Sequence, residues 1–353
     1  MRVRYRRCDE VTSGPFSAEP GRPSRPFDYV VPMRSLLRVL LLLALGTALV
    51  VGGYIGIVGG GIGGTRYGRG IPAPEALPAA AVEARQERHG QDLGSATAAE
   101  GAATQILFGD LHVHTTFSSD AFMFALPLLQ GEGSHPPADA CDFARFCAEL
   151  DFWSINDHAE HLTPWQWAET KASIRECNAV AGAAATPDLV AFLGWEWTQS
   201  APAVLGGERV HYGHKNVILR DTEDERVPSR PIGAGTGGVF PTDFLGPVGW
   251  ATLRSVFSLG DFPGNLGPYL DLGRFTRDVA AIPECATDIP VRDLPLECHE
   301  GAPTPADLFR KLDDWGYPSL VIPHGTSWGI HAPPAADLAD QLAAGMHDPA
   351  RQR

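Results

Sequence analysis

The chain has no Cys-x-x-Cys pair, although six cysteines are spread over its 353 residues. A zinc ribbon or a thioredoxin-like redox centre therefore has nothing to build on. There is no P-loop, no G-x-S-x-G elbow and no glycine fingerprint placed between a strand and a helix, which removes support for NTPase, serine-hydrolase and dinucleotide-binding readings. No internal repeat is visible, so solenoids and propellers are set aside. Basic residues are scarce, 28 Lys and Arg against 42 Asp and Glu, for a formal charge of −14. The deficit is uneven. Residues 1–38 carry eight Arg against four acids, and residues 39–70 have Arg66 and Arg69 with no acid. The −14 of the chain less the +6 of residues 1–70 leaves −20 for residues 71–353. A body of that sign repels phosphate backbones, so nucleic acid is not an expected partner.

Charge is also missing from 39–58, where VLLLLALGTALVVGGYIGIV runs for 20 residues. At ~1.5 Å per residue a helix of that length spans about 30 Å, the hydrocarbon thickness of a bilayer. Arg34 and Arg38 precede it, which by the positive-inside rule puts residues 1–38 in the cytoplasm and the body on the extracytoplasmic, periplasmic side. The rival is a cleaved signal peptide, but the nearest run of small residues, Ala79-Ala80-Ala81, lies far downstream. Residues 1–38 read as a basic tail or, up to residue 32, as an over-extended start before Met33. Residues 59–104, Gly-rich and then Ala-, Pro- and Glu-rich, read as a flexible tether.

From residue 105 onward, strands and helices alternate. Gln105–His112, Phe152–Asn156, Leu189–Trp195, His214–Leu219 and Leu320–Pro323 read as strands. Ala138–Leu150 has Phe143, Phe146, Cys147 and Leu150 at helical spacing. Thr163-Pro164 with Gln166 is a capping box opening a helix, and Thr304-Pro305 opens another that Gly316 stops. Residues 221–303 are an irregular Gly- and Pro-rich insertion. Such alternation predicts an α/β fold with its site at the carboxyl ends of the strands. Polar residues collect there: Asp110, His112 and His114 after the first strand, Asp157 and His158 after the second, Glu196 at the third, His324 at the last. His214 is the exception, because it begins its strand. Cys285 and Cys298 flank a Pro-rich loop and would close it as a disulfide outside the cytoplasm, or remain buried thiols.

His112-Val113-His114 puts two imidazoles on one face of an extended segment, where both can reach one ion. Alone this is a weak signal. Preceded by Asp110-Leu111 and followed by Thr115-x-x-Ser118-x-Asp120, it resembles the first motif of the PHP (polymerase and histidinol phosphatase) superfamily. Ser154-Ile155-Asn156-Asp157-His158 resembles the second motif, with Asn156 where Thr is usual. Glu196 in Gly194-Trp195-Glu196-Trp197 looks like the bridging glutamate, and Gly213-His214 and Pro323-His324-Gly325 look like the later histidine motifs. The resemblance covers about 105–353. More narrowly the chain resembles a poorly characterised, membrane-anchored, domain-of-unknown-function branch, in phrases such as Ala140-Cys141-Asp142-Phe143-Ala144-Arg145-Phe146-Cys147.

The resemblance implies a distorted (β/α)7 barrel with two or three divalent ions, Zn, Mn or Fe. His112, His114 and Glu196 would hold the first; Glu196, His214 and His324 the second; Asp120 and His158 a third. Hydrolysis of a small-molecule phosphoester by a hydroxide bridging the ions is the implied activity. Another ester or amide as substrate, or a non-catalytic envelope protein with a degenerate site, are the alternatives. Asp110 and Asp157 would orient imidazoles rather than bind metal, and His161 and His211 are weak supporting candidates. His89, His135, His299 and His347 read as ordinary histidines, and Trp195 and Trp197 as packing. The superfamily pattern closes with Asp-x-His on a final strand. After His324 only His331 and His347 remain, neither in that motif. The expectation is a body with its C-terminal strands missing, in which only the ion on Glu196, His214 and His324 keeps three protein ligands.

Overall fold

The computed structural model describes residues 33–92, 106–129, 131, 135–183, 186–199, 203–205, 208–210, 212–235, 242–261 and 264–324. The chain separates into two units, Met1–Leu49 and Val50–Arg353. In the first, the described residues belong to helix α1 (Met33–Tyr54), none of whose residues is buried. With the π-helical turn Ile55–Gly59 that continues it, Met33–Gly59 is long and apolar enough to cross a membrane, with a mean hydropathy of 2.3.

The second unit is built on one curled sheet, a half-barrel of five strands. After helix α2 (Ala79–Asp92) come β1 (Gly109–Val113), α3 (Ser119–Phe124), α4 (Pro137–Asp142), β2 (Phe152–Ile155), α5 (Pro164–Val180) and β3 (Val190–Thr198). A hairpin of β4 (Ala203–Leu205) and β5 (Glu208–Val210) leads to β6 (His214–Leu219). The insertion holds β7 (Ile232–Gly233), α6 (Thr242–Ser258), α7 (Gly267–Ala280) and β8 (Glu300–Gly301), before α8 (Pro305–Trp315) and β9 (Ser319–His324). The sheet order is β1-β2-β3-β6-β9. β1, β2 and β3 are parallel, whereas β6 runs antiparallel to both β3 and β9.

That reversal resolves the exception at His214. Thr198 pairs with His214 and His214 pairs with His324, so the first residue of β6 lies at the same sheet end as the last residues of β3 and β9. All the strand-borne candidates therefore share one rim.

Alternation sorts the two faces of the sheet. On β3, Leu193, Trp195 and Trp197 are fully buried in the main core, with Trp167, Val217, Leu219 and Leu308. The Trp195 and Trp197 indole N–H groups donate to the Ile232 and Ala302 carbonyls, a packing role. Glu196 and Thr198 point the other way. On β6, Lys215 joins the core side, fully buried, donating to the Tyr212 carbonyl at 2.8 Å and lying 5.0 Å over the Trp197 ring. Burial pushes its pKa down to about 7.

Local signals hold where they are strong. Thr163 and Gln166 form the reciprocal capping box of α5. Thr304 caps α8, and Gly316, at φ 69°, ends it in the left-handed conformation that glycine adopts without strain.

Elsewhere tertiary contacts redraw the expectation. The helix read over 138–150 is α4 followed by a π-helical turn, Phe143–Cys147. The added residue rotates the apolar stripe, so Phe143 and Phe146 are exposed while Cys141, Ala144 and Arg145 are buried. The insertion read as irregular carries α6 and α7. The segment read as a tether is pinned to the body over much of its length. Thr65 N and Tyr67 OH donate to Asp271, Arg69 pairs with Glu169 and Glu176, and buried Arg85 reaches Asp151, Leu150 O and Asp188 O. Arg145, fully buried, donates to Ala73 O, Glu75 O and Asp188. Cys285–Cys298 is a disulfide, and so is Cys141–Cys177, between α4 and α5. Residues beyond His324, including His331 and His347, lie outside the described residues, as does His211.

Candidate metal centre

The rim gathers its side chains around one carboxylate. Glu196 is only 1% exposed. On its Oε2 converge the Nε2 atoms of His112 and His114, each at 3.0 Å, and of His324 at 3.4 Å. The two nitrogens of the H-x-H pair are 2.9 Å apart. Its Oε1 meets His214 Nδ1 in a short hydrogen bond, accepts from Thr198 Oγ1 at 2.7 Å, and lies 3.5 Å from His158 Nδ1. His158 Nε2 in turn is 3.0 Å from Asp120 Oδ2. All seven residues proposed as ligands from the sequence are thus brought together.

Among the described residues, two groups of three have ligand atoms within 4.8 Å of one another: His112, Glu196 and His324, and His114, Asp120 and His158. This partition differs from the one the resemblance implies, because α3 brings Asp120 back toward His114 and His158, so His114 faces both groups. Ligands held at ~2.0–2.1 Å around a tetrahedral ion lie roughly 3.3 Å apart, close to the separations seen here.

Neighbouring hydroxyls fix which imidazole nitrogen carries a proton. Asp157 is fully buried and accepts from Thr115 N, Thr115 Oγ1 and Ser118 Oγ at 2.6, 2.7 and 2.9 Å. With its proton committed to Asp157, Ser118 Oγ accepts from His114 Nδ1 at 2.9 Å, leaving Nε2 as the bare nitrogen of neutral His114. Thr198 repeats the device. Its hydroxyl donates to Glu196, so it accepts from His158 Nδ1 at 2.7 Å, leaving His158 Nε2 bare. Each bare nitrogen faces a carboxylate oxygen at 3.0 Å, acceptor against acceptor. Such a contact is resolved by a cation between the two, or by an added proton. His324 also turns its Nε2 toward Glu196 Oε2, and among the described residues neither of its ring nitrogens has a hydrogen-bond partner of ordinary geometry. The donor set fits a divalent metal.

Electrostatics agree. Burial works to lower the His114 pKa, but the hydrogen bond and charge of Glu196, with Asp120 and Asp157, outweigh it and raise the value to about 9. Burial would raise Asp120, and His158 and His114 hold it well below the usual range. Burial likewise opposes ionisation of Glu196, yet the surrounding histidines keep it far below its ordinary value. An ion-free rim therefore stores protons that a cation would displace.

The supporting candidates fall nearby. Exposed Asp110 accepts from His112 N at 2.9 Å, a bond to the backbone of the H-x-H segment rather than to an imidazole. His161 is buried, 3.4 Å from Ser119 Oγ, and burial pushes its pKa down to about 3, so it stays neutral. Sequence reasoning passed over Ser118 and Thr198, although Ser118 stands inside the Thr115–Asp120 motif and Thr198, two residues after Glu196, must share its face. Glu160 was also missed. Its Oε1 accepts from Ala234 N and Thr198 N at 2.5 and 3.1 Å, tying the insertion to the rim, and burial pushes its pKa up to about 8.

A family model described as "Protein of unknown function (DUF3604)" matches residues 101–185, a span that holds His112, His114, Asp120 and His158 and ends before Glu196. No curated protein and no solved structure matches the chain.

Proposed function

We propose that this chain is a membrane-anchored, metal-dependent hydrolase of small-molecule phosphoesters, with its body on the extracytoplasmic side. The observation that carries the reading is the convergence of the His112, His114 and His324 Nε2 atoms on Glu196 Oε2, with His158 Nε2 against Asp120. The half-barrel sheet, with its candidates on one rim, supports treating the body as part of a distorted PHP-type barrel. Arg34 and Arg38 ahead of the apolar run support the orientation.

His112, His324 and Glu196 would hold one ion and His114, Asp120 and His158 another, with His214 against the second oxygen of Glu196. Two divalent ions in such a site supply Lewis-acid polarisation of a phosphoryl oxygen and bring the pKa of water toward neutrality. The protein's own part is orientation. Ser118 and Thr198 hold their imidazoles in the ligating tautomer, and the buried Asp157 locks Ser118. Trp195 and Trp197, fully buried and hydrogen-bonded in the core, keep Glu196 from turning away.

The test uses the full chain in detergent, stripped by chelator and reloaded with Zn, Mn or Fe, against phosphomonoesters, phosphodiesters, sulfate esters and carboxylic esters. Hydrolysis of a phosphoester that Glu196→Gln abolishes is the expected result. Turnover of only sulfate or carboxylic esters would assign a different electrophile, and no turnover with any ion would leave a binding protein.

A further inference from the structure

The end of the apolar run does not stand clear of the body. Within the second unit, Tyr54 OH bonds Ser258 Oγ at 2.7 Å, and Gly59 packs so closely on the Ala251 backbone that a Cβ would not fit. Arg254 and Arg277 donate to the carbonyls of Gly59 and Gly60 at 2.6 and 2.5 Å, closing the helix end where its dipole is negative. Tyr54, Val58, Phe122, Tyr269 and Leu272 share a small second core. The docking contradicts the expectation of an anchor that touches the body only through a tether.

Direction is the informative part. Moving from Ala251 to Ser258 along α6 runs from the level of Gly59 back to that of Tyr54, so α6 is antiparallel to the end of the run. Tyr54 precedes Val58, the last residue of the apolar stretch, by four positions, about 6 Å at 1.5 Å per residue. The carboxyl end of α6 therefore lies at the level of Tyr54, four residues before the end of the apolar run. The side chains there are apolar and exposed: Val256 at 54% and Leu259 at 57%. Leu128 and Leu129, at 40% and 48%, continue the patch beside Gly260. Asp261, the acid at this tip, is turned onto the Tyr269 hydroxyl.

We infer that Val256, Leu259, Leu128 and Leu129 form a membrane-dipping edge that enters the headgroup and upper acyl region of the bilayer. Interfacial helices bury their apolar faces ~5–10 Å at this boundary, which matches the depth of Tyr54 below the end of the run. The inference rests on reading Met33–Gly59 as a membrane span, and it adds that the body is seated on the lipid. The second core joins Tyr54 and Phe257, beside this edge, to Phe122 of α3, the helix that carries Asp120.

The test reconstitutes the full chain, in a Cys8→Ser, Cys147→Ser background, into vesicles of phosphatidylcholine and phosphatidylglycerol with or without brominated acyl chains. A polarity-sensitive fluorophore is placed through Leu45→Cys, Val256→Cys, Leu259→Cys or, as a control on α8, Arg310→Cys. Substitution at these exposed sites leaves the core intact. Bromolipid is expected to quench the label at 45, 256 and 259 and to leave 310 unchanged. Quenching at 45 without quenching at 256 and 259 would overturn the seated edge while the span stands. Absence of quenching at 45 would overturn the span, and the inference with it.

Discussion

Thr198→Val is the substitution that separates the tautomer argument from mere proximity of histidines. Valine keeps the shape of threonine at a fully buried position, so no cavity is created. What it removes is the hydroxyl that donates to Glu196 Oε1 and accepts from His158 Nδ1. A hydrogen bond to a charged group contributes about 1.5–3 kcal/mol, and a buried N–H left without an acceptor costs about 1–3 kcal/mol. These overlap, because His158 can turn its proton to Nε2 and give it to Asp120. The ion-free protein should therefore lose about 2–4 kcal/mol. That same turn puts a proton on the nitrogen that ought to bind metal, so affinity should fall about 10–100-fold, the usual penalty for losing a group that orients a ligand. Chelator-competition titration with Zn or Mn measures the second effect, and urea unfolding in chelator the first. Thr198→Ser, which retains the hydroxyl, should recover most of the affinity. Wild-type affinity in Thr198→Val, or a serine variant as weak as the valine one, would refute the reasoning.

Three further outcomes follow from other parts of the molecule. Glu160 has a folded pKa near 8 against an ordinary 4.5, so the native state holds a proton that the unfolded chain releases across that window. Its contribution is fully present below pH 4.5 and is lost as pH rises through 8; in chelator, Glu160→Gln should flatten this fall in thermal unfolding curves, and an unchanged slope would contradict the assignment. Removing the Cys141–Cys177 bridge, with a sequence separation of 36, should cost about 4 kcal/mol, and removing Cys285–Cys298, with a separation of 13, about 3 kcal/mol, from the loop-closure relation; denaturant unfolding of paired Cys→Ala variants checks both. Arg145→Leu leaves Asp188 as a buried uncompensated charge at about 3–5 kcal/mol and frees the Ala73 and Glu75 carbonyls, so limited proteolysis should cut near residues 70–77, whereas cleavage no faster than in wild type would mean that other contacts hold this segment.

The candidate site was legible in the sequence because its residues sit at strand ends in short phrases, and a strand's period of two dictates their side. Glu196 between Trp195 and Trp197 is the clearest instance, since core indoles on one face force the carboxylate onto the other. The helix caps at Thr163 and Thr304 were legible for the same local reason. The antiparallel course of β6 was not, because His214–Leu219 pairs with strands distant in sequence and hydrophobic pattern carries no direction. The docking of residues 64–88 depends on Arg69, Arg85 and Arg145 making contacts with carboxylates and carbonyls across 65 to 107 positions of sequence. Gly- and Pro-rich composition concealed α6 and α7, whose stability comes from packing on Tyr54–Gly59 and α3 rather than from helix propensity.

Metal content tests the central claim most directly. The full chain, purified in detergent without chelator and compared with Glu196→Gln by elemental analysis, should retain Zn, Mn or Fe in stoichiometric amount, and the variant should lose most of it while keeping its secondary structure. A wild-type chain free of divalent metal after purification and after dialysis against each ion, or a variant that retains the full complement, would contradict the account.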